Sequence, residues 1–151
     1  VRFDLSQPRF SDARWTAGHS VPTLFSDGYP LLVLSQASIA DLSARVGRDL
    51  PVQRFRPNIL LDSVAPYAED AASVLETGAV QLQLTKACTR CAITTIDQST
   101  GERTGEEPLA TLKSYRFDPQ LQGVVFGRNA YVLAGAGSTL TRGAPASIIA
   151  T

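Results

Sequence analysis

The spacing of apolar residues changes period along the chain, and each change predicts an element. Val80, Leu82 and Leu84 alternate with Gln81, Gln83 and Thr85, the pattern of a strand with one buried face. The unbroken run Leu31–Leu34 predicts a short strand buried on both faces. Ile39, Leu42 and Val46 recur at helical spacing, behind Ser35 as a candidate N-cap and ahead of Gly47 as the residue past the end. Leu109 and Leu112 lie three apart after Pro108, so a second helix is expected to run to about Tyr115. Tyr67–Ala72 suits a single helical turn. Strands are expected over Val21–Phe25, over Val52–Leu61 with a break at Pro57, and over the β-branched stretch Ala92–Ile96. Val124–Phe126 and Asn129–Leu133 read as strand on either side of Gly127, and Ser138–Ile149 carries weak strand signals.

Ser26-Asp27-Gly28-Tyr29-Pro30 has the chemistry of a turn, and Gln98–Gly105 that of a polar loop. Strands and helices do not alternate regularly, which disfavours a doubly wound parallel sheet. The expected fold is mainly β, a small barrel-like structure with two or three short inserted helices. Residues 1–24 are expected to be an irregular lead-in segment and residues 25–151 the domain proper.

Composition narrows the function classes. The chain has 151 residues, 44% of them hydrophobic and 19% charged, enough to build one packed core. Lys plus Arg and Asp plus Glu both number 14. Without a basic surplus, general binding to a nucleic-acid backbone is disfavoured, though a local anion pocket is not. No apolar run is long enough to span a bilayer. The chain holds no Met, so Val1 is read as the start of a processed chain or a fragment. Two cysteines cannot staple a secreted scaffold and point weakly to a reducing compartment, the cytoplasm.

Those cysteines stand in Lys86-Ala87-Cys88-Thr89-Arg90-Cys91. Thiolate is the nucleophilic and metal-binding form of cysteine, and flanking cations favour it. The bland alternative is a pair of inert buried cysteines that behave as small hydrophobes, which the spacing alone leaves open. Arg54-Phe55-Arg56-Pro57-Asn58 is the next candidate. On a strand, both arginines would face one side and Phe55 the other, and a guanidinium fork suits phosphate or carboxylate. An ordinary solvated edge strand explains the same residues more simply. His19 is the sole histidine and has no partner in view, a pattern more often structural than catalytic. Gly127 between apolar stretches marks a bulge or a close backbone approach.

Taken in order, several of these segments resemble the MOSC domain, named after the C-terminal domain of molybdenum cofactor sulfurase. They are Phe25-Ser-Asp-Gly-Tyr-Pro-Leu-Leu-Val-Leu-Ser35, Arg54-Phe-Arg-Pro-Asn58, Tyr67-Ala-Glu-Asp70, Cys88-Thr-Arg-Cys91 with Thr94-Thr95, Gly101 to Arg103, Glu107-Pro-Leu109, Thr111-Leu-Lys-Ser-Tyr-Arg116 and Phe126-Gly127. The subgroup it looks most like contains the mitochondrial amidoxime-reducing component and its bacterial relatives. The resemblance implies a β-rich fold that binds molybdopterin, with Cys91 as the metal ligand and catalytic thiol. It implies Arg56, Asn58, Thr89 and Arg90 as cofactor-binding residues, with Asn129 as a further pocket position of variable side chain. The implied reaction is two-electron reduction of N-hydroxylated small molecules, fed by a redox partner such as a flavoprotein, haem or iron–sulfur carrier. A non-catalytic module that binds or carries the cofactor or its sulfur is the alternative. Ala71-Ala72 stands where relatives often carry Trp, and Asp97-Gln98 where they carry Asp-Pro. The N-terminal subdomain of that subgroup is expected to be missing before Val1.

Overall fold

In the computed structural model, Asp4 and residues 6–150 are described. The strands are β1 (Arg9–Phe10), β2 (Pro22–Thr23), β3 (Leu31–Ser35), β4 (Ile59–Leu61), β5 (Ala72–Thr77), β6 (Val80–Thr89), β7 (Phe117–Asp118), β8 (Gly123–Ala134) and β9 (Ser147–Ala150). The α-helices are α1 (Gln36–Val46), α2 (Ala68–Ala71) and α3 (Leu109–Tyr115). Strands β1 and β2 form a ribbon of their own. The main sheet runs β4-β3-β8-β6-β5-β9, with β7 also paired to β8, and curls into a half-barrel. Every pairing is antiparallel except β3 with β4. The mainly β class with short inserted helices is therefore as expected.

Two hydrophobic clusters lie on opposite faces of the sheet, and β3 explains why. Neighbouring residues of a strand point to opposite faces. Val33 joins one cluster, with Leu61, Leu75, Leu82, Leu84 and Ala130, while Leu34 joins the other, with Ile39, Leu42, Phe55, Leu112 and Phe126. That two-sided burial is what the unbroken apolar run of β3 requires. Helix α1 covers the second face. Ser35 caps it, its side chain accepting from Ser38 N, and Gly47 ends it in the left-handed region at φ 78°.

Three expected strands are corrected. Val52–Arg54 is a turn of 3-10 helix, and only Ile59–Leu61 of the stretch 52–61 joins the sheet. Pro57 has no N–H to donate to a ladder, and the chain reaches it through Arg56 at φ 56°. Ala92–Thr95 is also 3-10 helix. Its hydroxyls bond locally, Thr94 Oγ1 to Cys91 O at 3.0 Å and Thr95 Oγ1 to Ala92 O at 2.7 Å, so β-branched residues here close a turn rather than a ladder. Of Val21–Phe25 only Pro22–Thr23 is strand. Conversely, β8 runs unbroken through Gly127 where two strand segments were expected.

Candidate functional site

Strand β6 carries Cys88 near its C-terminal end, and Cys91 lies two residues beyond it. Its last paired residue is Thr89, opposite Val125, and Arg90 N donates to Val124 O at 2.7 Å. The chain then turns at Cys91 into the 3-10 helix Ala92–Thr95. Cys91 is exposed, and its thiol has no hydrogen-bond partner among the described residues, whereas Cys88 is half-buried. Cys88 Sγ accepts from Arg90 Nη1 at 3.2 Å and lies 3.8 Å from Thr89 O. The cysteine outside the hydrogen-bonded set is thus the second of the pair.

The segment 52–58 packs directly against this turn. Arg90 Nη2 donates to Phe55 O at 2.9 Å, and its guanidinium lies 5.8 Å from the Phe55 ring centroid. Phe55 itself is buried against Phe126, with ring centroids 4.8 Å apart. Arg54 is buried rather than turned outward with Arg56, and its Nη1 donates to Thr94 O and Ile96 O. Arg56 is exposed, and its guanidinium has no hydrogen bond or ion pair within the described residues. Its left-handed backbone, directly before a proline, costs about 1–3 kcal/mol, a strain that well-packed surroundings sustain and that gathers at functional sites.

Asn58 brackets Leu32, donating from its N–H to Leu32 O at 2.9 Å and accepting at Oδ1 from Leu32 N at 2.8 Å. Leu32 pairs across the sheet with Asn129, so Asn58 and Asn129 stand in one row with Leu32 between them. Thr89 is exposed beside Gly123, where an added Cβ would meet Thr89 Cγ2 at 3.2 Å. Hydrogen bonds therefore tie Arg54, Phe55, Cys88, Arg90 and the Cys91 turn into one unit, with Arg56 and Asn58 on its continuing chain. Asn129 is joined to that unit through Leu32 and Asn58, without a bond to the cysteine turn.

Upstream on β6, Lys86 and Ala87 line an open cleft of about 550 Å³ together with Trp15, Asp118, Arg128 and Tyr131. Burial pushes the Arg128 guanidinium below its usual range, partly offset by the charge of Asp70. His19 is exposed outside this lining, its ring 5.9 Å from that of Tyr131. The buried clasp made by Arg54 was hidden from sequence reasoning. An arginine between a valine-glutamine pair and a phenylalanine carries no signal of its depth.

Among the described residues no group of three or more His, Cys, Asp or Glu could hold a metal ion. No helix among them is long and apolar enough to cross a membrane. The donor set is instead one soft thiol, with the Arg56 guanidinium and the Asn58 amide on the segment bonded to its turn. It cannot cage a bare ion, but it fits a metal whose remaining ligands and anionic group belong to an organic cofactor.

Fold and site together define a small, mainly β domain with one exposed thiol on a turn held against the segment that carries Arg56 and Asn58. The family model described as the MOSC domain matches residues 21–145, and the chain belongs to that family. It is 43% identical over 104 residues to mitochondrial amidoxime-reducing component 1 of Mus musculus and 42% identical over 105 residues to its counterpart from Homo sapiens. Those alignments cover 69% and 70% of this chain but only 31% of either relative, so the chain spans about three-tenths of their length. Among solved structures, YiiM from Geobacillus stearothermophilus superposes with a TM-score of 0.55 at 14% identity, over 95% of this chain and 70% of the other, which establishes likeness of fold.

Proposed function

We propose that this domain binds the molybdenum cofactor, with Cys91 as the protein's thiolate ligand to the metal, and serves in the reduction of N-hydroxylated small molecules. The observation that carries the reading is the exposed thiol of Cys91, without a partner among the described residues, on a turn hydrogen-bonded to the segment that carries Arg56 and Asn58. The names of the relatives, amidoxime-reducing components, support the substrate class.

The residues divide the work by chemistry. Cys91 supplies a soft, anionic donor. Arg56 offers two parallel N–H donors to a phosphate oxygen pair and has no partner among the described residues to give up first. Asn58 keeps its Nδ2 free while Oδ1 holds Leu32, so it can donate to a cofactor ring without releasing the strand. Thr89 and Asn129 offer neutral hydrogen-bonding groups. Arg90 holds the cysteine strand against Phe55 and closes the wall of the site. When bound, the molybdenum cofactor supplies two-electron chemistry for removing oxygen from an N–OH group. Electrons for that reaction come from a redox partner, a flavoprotein, haem or iron–sulfur carrier. The compartment we propose is the cytoplasm, on the two free cysteines.

Expression in a cofactor-producing host tests the reading. Molybdenum is expected in the wild type, and X-ray absorption at the metal edge is expected to lose one sulfur neighbour in Cys91→Ala and none in Cys88→Ala. An unchanged sulfur shell and metal content in Cys91→Ala would remove Cys91 from the ligand role. The exposure of Cys91 also favours a second reading, a module that binds or carries the cofactor without turnover. Benzamidoxime reduction with a chemical reductant separates the two, since bound molybdenum without turnover selects the carrier.

A further inference from the structure

Arg54 is 4% exposed, although its place in the sequence suits a surface strand. Its Nη1 donates to both Thr94 O and Ile96 O at 2.9 Å. These carbonyls lie at the C-terminal end of the 3-10 turn, where backbone oxygens lack partners and partial negative charge gathers. Thr94 is 1% exposed and donates to Cys91 O twice, from its N–H at 3.2 Å and from Oγ1 at 3.0 Å. A continuous set of bonds therefore runs from the Arg54 guanidinium through Thr94 to the backbone of Cys91.

The other end of Arg54 belongs to the second half of the site. Its own chain continues through Phe55 to Arg56. Arg90 returns across the gap in the opposite direction, donating to Phe55 O at 2.9 Å. Each segment thus sends one arginine into the backbone of the other. In both side chains Nε is buried without a partner. An unmet buried donor is unfavourable, so the two guanidinium groups forgo one bond each to make the cross-segment contacts.

We propose that Arg54 is a positioning residue: through Thr94 it fixes the Cys91 thiol relative to the Arg56 guanidinium, without itself touching cofactor or substrate. The proposal rests on the reading of Cys91 as the metal-binding thiol. Both of its bonds come from one nitrogen, so a lysine ammonium, on a shorter stem, can restore part of the clasp, whereas an apolar residue restores none.

The first test needs no cofactor. Alkylation of Cys88 and Cys91 by iodoacetamide is followed peptide by peptide in wild type, Arg54→Met and Arg54→Lys. The Cys91 rate is expected to change about fivefold or more in Arg54→Met, with Cys88 within about twofold and Arg54→Lys closer to wild type. A folded Arg54→Met whose Cys91 rate stays within about twofold of wild type overturns the proposal. Should Arg54→Met not fold, Thr94→Val replaces it, removing only the hydroxyl bond to Cys91 O, and an unchanged Cys91 rate there overturns the proposal equally. In the molybdenum-loaded protein, Arg54→Met is expected to lower kcat about tenfold with KM within about twofold. A wild-type kcat in that loaded, folded variant also overturns the proposal. Failure of the cofactor reading has a different signature: no molybdenum in any variant, with the Cys91 alkylation rate still moved by Arg54→Met.

Discussion

Asn58 Oδ1 accepts from Leu32 N at 2.8 Å while Asn58 N donates to Leu32 O at 2.9 Å, so one asparagine satisfies both backbone groups of a residue near the start of β3. Replacing it with alanine leaves a half-buried N–H unmet. Asn58→Ala is expected to cost about 1–2 kcal/mol in urea denaturation, and an unchanged midpoint would show that water replaces the amide without loss. A second residue-scale prediction concerns pH. Tyr67 Oη donates to Asp41 Oδ2 at 2.5 Å and pairs with Tyr115 Oη at 2.8 Å. Burial first, then the bonds to Asp41 and Tyr115, hold the Tyr67 hydroxyl far above the usual phenol value of 10.0. The bond from Arg45, then that from Tyr67, holds the Asp41 carboxyl below its usual 3.8. A proton held more tightly in the folded chain stabilises it fully below pH 10.0, and that contribution fades as pH rises beyond. A carboxyl held low stabilises above pH 3.8, and its contribution fades as pH falls below. Stability from this pair is therefore expected to be level between those limits and to decline outside them. Tyr67→Phe should make the alkaline decline shallower, as read from denaturant midpoints at about pH 7 and pH 11, and an equally steep decline would place its origin elsewhere.

At the scale of elements, β8 shows how much a short pattern conceals. Gly127 divides two apolar stretches in the sequence, yet it lies inside one long strand. It has φ 82°, and a Cβ added there would meet Val33 O at 2.9 Å, so the glycine marks a close backbone approach between β8 and its neighbour β3. Gly127→Ala is expected to cost about 2–3 kcal/mol, a Tm loss of roughly 5–10 °C by calorimetry. A loss below about 1 kcal/mol would mean that the two strands can separate without penalty. Helix α1 and strand β6 were legible because their signals are local: a serine cap, a glycine stop, a strict alternation. The turns at 52–54 and 92–95 were not. Their β-branched residues suit a strand equally well, and the deciding contacts lie 40 and 42 residues apart in the chain, between Arg54 and the carbonyls of Thr94 and Ile96. Strand β5 was missed because its apolar residues, Ala72, Val74 and Leu75, match no simple period.

Across the whole molecule, the site leans on one of the two cores. Phe55 packs with Leu112 and Phe126 in the helix-covered cluster, and the residues on either side of Phe55 carry the clasp and the free guanidinium. Leu82 belongs to the cluster on the opposite face. Leu112→Ala and Leu82→Ala are each expected to cost about 2–5 kcal/mol. Only Leu112→Ala is expected to alter Cys91 alkylation or molybdenum retention under conditions where both variants remain folded. Equal effects of the two would show that the site senses global stability rather than its own support.

The ordered motifs were enough to recognise the family and the class of fold, because those depend on residue types and spacings that survive in one dimension. Helix ends and strand alternation were likewise readable, since a cap or a period is written within a few residues. What only the folded chain decided is which arginine serves which purpose. Arg54 and Arg56 are the same residue type two positions apart, and nothing local distinguishes them. Burial separates them: the 3-10 turn carries one into the interior against carbonyls from a distant segment, and the left-handed backbone before Pro57 leaves the other exposed with its donors unspent.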